Sequence, residues 1–347
     1  MFALVLILAC DADPDGEAAC ALTTDILVET SDQATIALHH HPGRGAPVLL
    51  VHGVSSNARF WDLDAEHSLA AWLVGEGFDP WLLDLRGHGR ARRHVDGAPQ
   101  LSGWTVDHYG TADVAAAVAH VRAVTGYRKV GYVGHSMGGM VGAIYVASGH
   151  DDLSAMVMVG SPATFDRDAP LVESARVAMG IAGASMFWIE AGVGGELAAA
   201  LGTRSPVQLQ RHLYNAEHFE PLTERRMLRT ITSPLSRQEM QHFARMLTRE
   251  RFESADGSLD WTTEYRRVAP PTLAISGSRD EVGLSAIVAP WTVGLPGPAK
   301  HLDIAEYGHL DLGLGEDAER DVFPHIAAWL SSYPPSSGGG RAAPGAR

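Results

Sequence analysis

The sequence predicts an α/β protein: a mainly parallel sheet flanked by helices. Two patterns predict it. Short apolar runs rich in Val and Leu alternate with helix-like stretches, and several of those runs end in Gly- or Asp-containing turns. Pro47 to Val51 is the first such run and ends in His52-Gly53, as expected of a strand buried on both faces. A helix follows over about Leu69 to Glu76 and stops at Gly77. The next strand, Phe78 to Leu83, runs into Asp84-Leu85-Arg86-Gly87-His88-Gly89. From Asp107 to Thr125, Val114, Val118 and Val121 recur at i, i+4 and i+7, and Gly126 closes an amphipathic helix. The remaining elements are a strand at Val130 to Val133, a helix from Met137, strands at Ala155 to Val159, Thr272 to Ser276 and Lys300 to Ile304, and a last helix ending near Leu330. Strands separated by helices imply right-handed crossovers and parallel pairing.

The core is therefore expected over residues 25–162 and 269–331, split by an insertion at 163–268. The first part of that insertion, Leu171 to Leu201, is dominated by Ala, Gly, Met, Leu and Ile, and its longest uncharged run is the 13 residues Val177 to Ile189. That length suits a buried or interfacial helix better than a membrane span, which needs about 20 residues. The second part is basic, with nine Arg and five Glu between Arg204 and Arg251. We read the whole insertion as a helical cap. After Ser331, residues 332–347 form a Pro-, Ser- and Gly-rich tail expected to be disordered.

Composition narrows the function. A hydrophobic fraction of 46 % with 20 % charged residues describes an ordinary globular chain of 347 residues, neither disordered nor polytopic. Acidic residues outnumber Lys and Arg by 41 to 27, for a net charge of −14, and no basic run offsets this locally, so nucleic acid is excluded as a partner. Cys10 and Cys20 both precede the first strand, so no disulfide holds the core. His39-His40-His41, ahead of Pro42-Gly43, reads as a solvated loop, and neither metal nor cofactor is expected. Residues 1–24 form a separate segment. Uncharged, mostly aliphatic Met1 to Ala9 ends at Cys10 and is followed by polar, turn-forming residues. It resembles a bacterial lipoprotein signal, which would anchor the protein at the cell envelope through a lipidated Cys10; the alternative is a cytoplasmic protein.

The chemistry is concentrated at Gly134-His135-Ser136-Met137-Gly138, a G-x-S-x-G pattern lying between a strand and a helix. Small residues on both sides let the backbone turn sharply and expose the Ser136 hydroxyl. The following helix points its N-terminal amides at developing negative charge. Serine is a poor nucleophile without a base, and the base needs an orienting carboxylate. Two later strands run into candidates: Thr272 to Ser276 into Gly277-Ser278-Arg279-Asp280, and Lys300 to Ile304 into Glu306-Tyr307-Gly308-His309.

Taken in order, the His52-Gly53 loop, the Asp84 to Gly89 turn, the elbow at Ser136, Asp280 and His309 resemble the α/β-hydrolases of the lipase/esterase kind. Ser68 to Leu73, Gly77 to Leu82, Lys129 to Ser136 and His309-Leu310-Asp311 are similar to the acid lipases. The resemblance implies an α/β-hydrolase fold with the cap inserted before the strand that carries the acid. It also implies the roles: Ser136 as nucleophile, Asp280 as acid and His309 as base, with the amides of Val54 and Met137 as oxyanion donors. The rival acid position after the preceding strand, Gly160-Ser161-Pro162, offers no carboxylate, and Asp311 reads as a helix cap or loop ligand. His52, Gly53, Met179, Met186, Phe187 and Trp188 are the candidate substrate-binding residues, the last four because the apolar part of the cap suits irregular acyl packing. The expected reaction is cleavage of a small-molecule carboxylic ester with an apolar acyl chain through an acyl-enzyme. The same triad would serve an acyltransferase that accepts an alcohol instead of water, and the fold also hosts catalytically silent binding proteins.

Overall fold

The computed structural model describes residues 24–166, 188–189 and 213–336. Met1 to Cys10, Cys20 and the substrate-binding candidates Met179, Met186 and Phe187 lie outside them. The centre is an eight-stranded sheet of β1 (Thr24–Glu29), β2 (Thr35–His40), β3 (Pro47–Val51), β4 (Asp79–Asp84), β5 (Val130–His135), β6 (Leu153–Val159), β9 (Thr272–Gly277) and β10 (Ala299–Ile304). A separate pair is formed by β7 (Trp188–Ile189) and β8 (Leu235–Ser236). The sheet order is β1-β2-β4-β3-β5-β6-β9-β10. Every neighbouring pair from β4 to β10 is parallel, while β2 runs antiparallel to both of its neighbours, β1 and β4.

Helices α1 (Leu69–Gly75), α2 (Val106–His108), α3 (Ala115–Thr125) and α4 (Met137–Ala147) connect the first strands. Ser68 caps α1 by accepting the Ala71 amide, which fixes its start as the sequence requires. Between α2 and α3 the chain widens into a π-helical turn at Tyr109–Val114, a detail the valine spacing does not reveal. Val114, Val118 and Val121 are all fully buried, as their i, i+4, i+7 spacing predicts. The wide turn coincides with a close approach, since a Cβ on Gly110 would lie 2.5 Å from Ile144 of α4. The parallel strands have the continuous apolar burial of a sheet covered on both faces, with β3, β4, β5 and β9 buried along their whole length.

Three readings need correction. Of the segment read as a solvated loop at His39-His40-His41, His39 and His40 instead end β2 and His41 follows it, buried. The His39 ring bridges Asp25 and Asp84 at 2.7 and 2.9 Å, His40 stacks on Trp81 and bonds Asp79, and His41 bonds Asp62 at 3.0 Å. Histidines so paired have their buried ring nitrogens satisfied by carboxylates, which lets them sit in and beside an inner strand. The tail begins later than expected: the last helix spans Phe323–Ser332, and the Ser336 carbonyl accepts the Arg128 amide at 3.2 Å. The insertion, read as wholly helical, contains the β7–β8 pair beside its helices Pro221–Thr230, Arg237–Arg249 and Trp261–Val268. No helix among the described residues is long and apolar enough to cross a membrane.

Candidate active site

Register alone brings the site together. Val51 is level with Gly134, His135 with Val159, Val159 with Ile275, and Gly277 with Ile304, so the loops leaving β3, β5, β9 and β10 emerge side by side at one edge of the sheet. That edge, at the carboxyl ends of parallel strands, is where open α/β sheets form their sites.

Ser136 leaves β5 with φ +53° and ψ −121°, a conformation a non-glycine residue adopts only when its surroundings enforce it. The enforcement is steric. A Cβ on Gly134 would lie 2.4 Å from backbone atoms of Gly138 and Gly139, and one on Gly138 would lie 2.3 Å from the Val51 carbonyl. Strand β5, helix α4 and the end of β3 therefore touch through bare backbone. The Ser136 amide donates to the Val159 carbonyl at 2.8 Å and its carbonyl accepts the Gly139 amide at 3.1 Å, closing the turn. The residue itself is buried, at 5 % exposed.

His309 and Asp280 meet across the loops after β10 and β9, with Nδ1 2.8 Å from Oδ2. The other oxygen of Asp280 accepts the amides of Val282 and Gly283 at 2.8 and 2.6 Å, so the carboxylate cannot rotate. His135 was not singled out in the sequence beyond its place in the motif, yet its Nε2 donates to the His309 carbonyl at 3.0 Å while its ring stacks on Phe60. Burial first, and then the nearby His309, hold the His135 ring well below the usual imidazole range, so it acts as a neutral donor.

Asp311 lies two residues beyond His309. Its carboxylate accepts the Gly308 amide at 2.8 Å and the Asn215 amide at 3.1 Å, and faces His218 Nδ1 at 3.4 Å. This is the loop ligand read from the sequence. Burial pushes its carboxyl up, against the pull of those two amides and of His218, to about 6.

The loop after β3 passes directly beneath the serine: a Cβ on Gly53 would sit 3.0 Å from the Ser136 Cβ and from His135 Nδ1. Val54 follows, half-buried, with its side chain against Leu235 and Met240. The Met137 amide opens α4, where the first N–H groups have no intrahelical partner. His52 requires a correction as a substrate-binding candidate. It is fully buried, its Nδ1 donates to the Gly53 carbonyl at 2.8 Å and its Nε2 accepts the Leu85 amide at 3.3 Å. Burial above all keeps that ring below its ordinary value, as a neutral strut for the loop. Trp188 contributes its backbone to the β7–β8 pair, opposite Ser236.

Asp84, at the end of β4, is a residue whose part the sequence did not reveal. One carboxylate oxygen accepts the Ala58 amide at 2.7 Å, and the other accepts the Arg90 amide at 2.8 Å and pairs with His39. Burial raises its carboxyl, but His39, His52 and the Ala58 amide outweigh it and leave the group at about 2. Burial likewise opposes the His39 cation, and Asp84 and Asp25 overcome it and lift the ring to about 9.

The chain is 24 % identical over 332 residues to lipase member K of Homo sapiens, covering 84 % of this chain and 82 % of that one. It is 35 % identical over 104 residues to triacylglycerol lipase 2 of Arabidopsis thaliana, a match spanning 29 % of this chain and 25 % of that protein. Among solved structures, a thermophilic esterase from Thermogutta terrifontis superposes with a TM-score of 0.62 at 22 % identity, over 89 % of this chain and 99 % of the other. The family model for the alpha/beta hydrolase fold matches residues 46–316, and the chain belongs to that family.

Proposed function

We propose that the protein is a serine hydrolase of carboxylic esters. The observation that carries this reading is the Asp280–His309 pair, 2.8 Å apart, on the two loops that share a sheet edge with a strained Ser136. His309 takes the proton from the Ser136 hydroxyl as Oγ bonds to the ester carbonyl carbon, and Asp280 stabilises the imidazolium. The oxyanion of the tetrahedral intermediate rests on the amides of Val54 and Met137. Collapse expels the alcohol, which takes the proton back from His309 and leaves an acyl-enzyme. Water, deprotonated by His309, then releases the acid. A carboxylate nucleophile would be needed for epoxide or haloalkane chemistry, and Ser136 stands in its place.

The likeness to lipase member K and the apolar character of Leu171 to Leu201 favour an ester with an apolar acyl chain. On this reading Met179, Met186, Phe187 and Trp188 contact the acyl group, and Cys10 carries a lipid anchor, tested by palmitate labelling of wild type against Cys10→Ser. Each fully buried CH₂ contributes about 0.8 kcal/mol, so four added methylenes raise kcat/KM by up to roughly 200-fold. The test is fluorophosphonate labelling of Ser136 together with a panel of nitrophenyl esters from acetate to octanoate. Failure to label, with no turnover of any ester, overturns the reading. Turnover with a preference for acetate or butyrate rejects the extended acyl groove and keeps the esterase.

A further inference from the structure

The inserted segment reaches into the core at one point. Ser233, which is 2 % exposed, sits between the loop after β3 and the loop after β4 and bonds to both. Its amide donates to the Ser55 carbonyl at 2.8 Å, and its hydroxyl accepts the Gly89 amide at 3.2 Å. Asn57, also buried, answers from the other side: its Nδ2 donates to the Thr230 carbonyl at 2.9 Å and comes within 3.4 Å of the Ser233 hydroxyl, while its Oδ1 accepts the Arg59 amide at 3.0 Å. At their other ends the same two loops stand on Asp84, through the Ala58 and Arg90 amides. The stretch from Gly53 to Ala58 is thus fixed by Asp84 below and by Thr230 and Ser233 above.

Between these two fixings lies Val54. The residue after it, Ser55, has φ +56°, a left-handed conformation that costs a non-glycine residue energy and relaxes when its neighbours let go. The Ser55 carbonyl is the atom the Ser233 amide holds. From this geometry we infer that Ser233 and Asn57 are positioning residues: they hold the Val54 amide in line with the Met137 amide, so that a segment inserted into the chain completes the oxyanion site of the core. The inference rests on the esterase reading. Neither side chain touches substrate. Their effect is to keep a donor where negative charge develops, which stabilises the transition state and leaves ground-state binding alone.

The experiment uses the full chain and counts active sites by fluorophosphonate titration, so that any unfolded fraction is removed from kcat. Ser233→Ala removes the hydroxyl, and with it the bond from the Gly89 amide and the contact with Asn57, while its backbone amide still reaches the Ser55 carbonyl. Asn57→Asp keeps the oxygen that accepts the Arg59 amide and loses the donor to Thr230. Displacing a catalytic group by about 1 Å costs on the order of 10²-fold, and a loosened loop is expected to lose part of that. Both variants should lower per-site kcat on nitrophenyl butyrate about tenfold or more with KM within about twofold, and should weaken a trifluoromethyl ketone, which forms the tetrahedral adduct, by the same factor. Ser233→Thr, which retains the hydroxyl, should recover most of the loss. If Ser233→Ala does not fold, Asn57→Asp carries the same readouts. Per-site kcat and ketone affinity equal to wild type in the folded variants would overturn the inference while leaving the esterase intact. A wild-type enzyme that neither labels nor turns over any ester would instead remove the reading beneath it.

Discussion

The two halves of the site are held by different forces. On the nucleophile side, Gly134, Gly138 and the end of β3 press backbone against backbone at distances that admit no Cβ, and Ser136 is strained because nothing around it can move. On the side of the loop after β3, the backbone hangs from single hydrogen bonds: the Asp84 carboxylate with His39 beneath, the Asn57 side chain and the Ser233 amide above. Packing of the first kind carries no charge and is indifferent to pH and salt. Support of the second kind depends on protonation and on single hydrogen bonds, so it is the half that conditions and small substitutions can loosen.

The largest expected effect isolates chemistry from both kinds of support. Ser136→Ala removes a hydroxyl without disturbing the glycine contacts, so thermal stability should stay at the wild-type level while kcat falls by roughly 10⁴ to 10⁶. Retention of more than about a tenth of wild-type activity would take the nucleophile role from Ser136. Next is Asp280→Asn, expected to cost roughly 10⁴ in kcat by favouring the wrong His309 tautomer. Asp311→Asn belongs beside it as a contrast, because that carboxylate holds backbone amides of Gly308 and Asn215 rather than the ring. Its loss should be far smaller, and the reverse ranking would show that the carboxylate acts from the other loop.

Gly138→Ala attacks the steric half directly. The new methyl group meets the Val51 and His52 carbonyls at 2.3 and 2.7 Å, backbone atoms of a fully buried strand end that cannot rotate aside. Overpacking of this kind costs typically about 1–3 kcal/mol, and because the clash lies at the elbow it should take about 10²-fold from kcat as well. The deficit should be the same at pH 6 and pH 9. A variant with wild-type melting temperature and turnover would mean that the elbow tolerates movement and that its strain is not sterically imposed.

The same division explains what could be read in the sequence. The steric half was legible because its signals are local: five consecutive residues around Ser136, an apolar run before them, a helix after. Asp280 and His309 were placed by strand endings, again within a few residues. The polar half was not, because its partners are remote. His39 meets Asp25, 14 positions away, and Asp84, 45 away, while Asn57 meets Thr230 across 173. Read alone, three histidines before Pro-Gly have the composition of a loop, and only the sheet register that sets β2 beside β4 turns His39 and His40 into strand. Likewise His52 looked available to substrate until the Gly53 carbonyl and the Leu85 amide occupied both its nitrogens.

The smallest expected effect, and the one most specific to the polar half, is on stability against pH. His39 in the folded protein titrates at about 9, above its ordinary 6.5, because Asp84 and Asp25 overcome the burial that opposes its charge; Arg90 and His52 also face this cluster. A raised folded value means that its contribution is complete below about pH 6.5 and is lost as the pH climbs through about 9. Asp84 runs the other way. Depressed to about 2, it contributes fully above about pH 4 and loses that contribution as the pH falls through about 2. His39→Gln keeps a neutral hydrogen-bonding side chain and removes the cation. Its melting temperature should therefore lie below wild type at pH 6 and converge on it by pH 10, with turnover at neutral pH reduced only slightly, since the Ala58 amide still has Asp84 to bind. A gap between the two melting curves that stays constant from pH 6 to pH 10 would show that His39 supports the loop by packing alone, and the contrast between a steric half and a titrating half would fail.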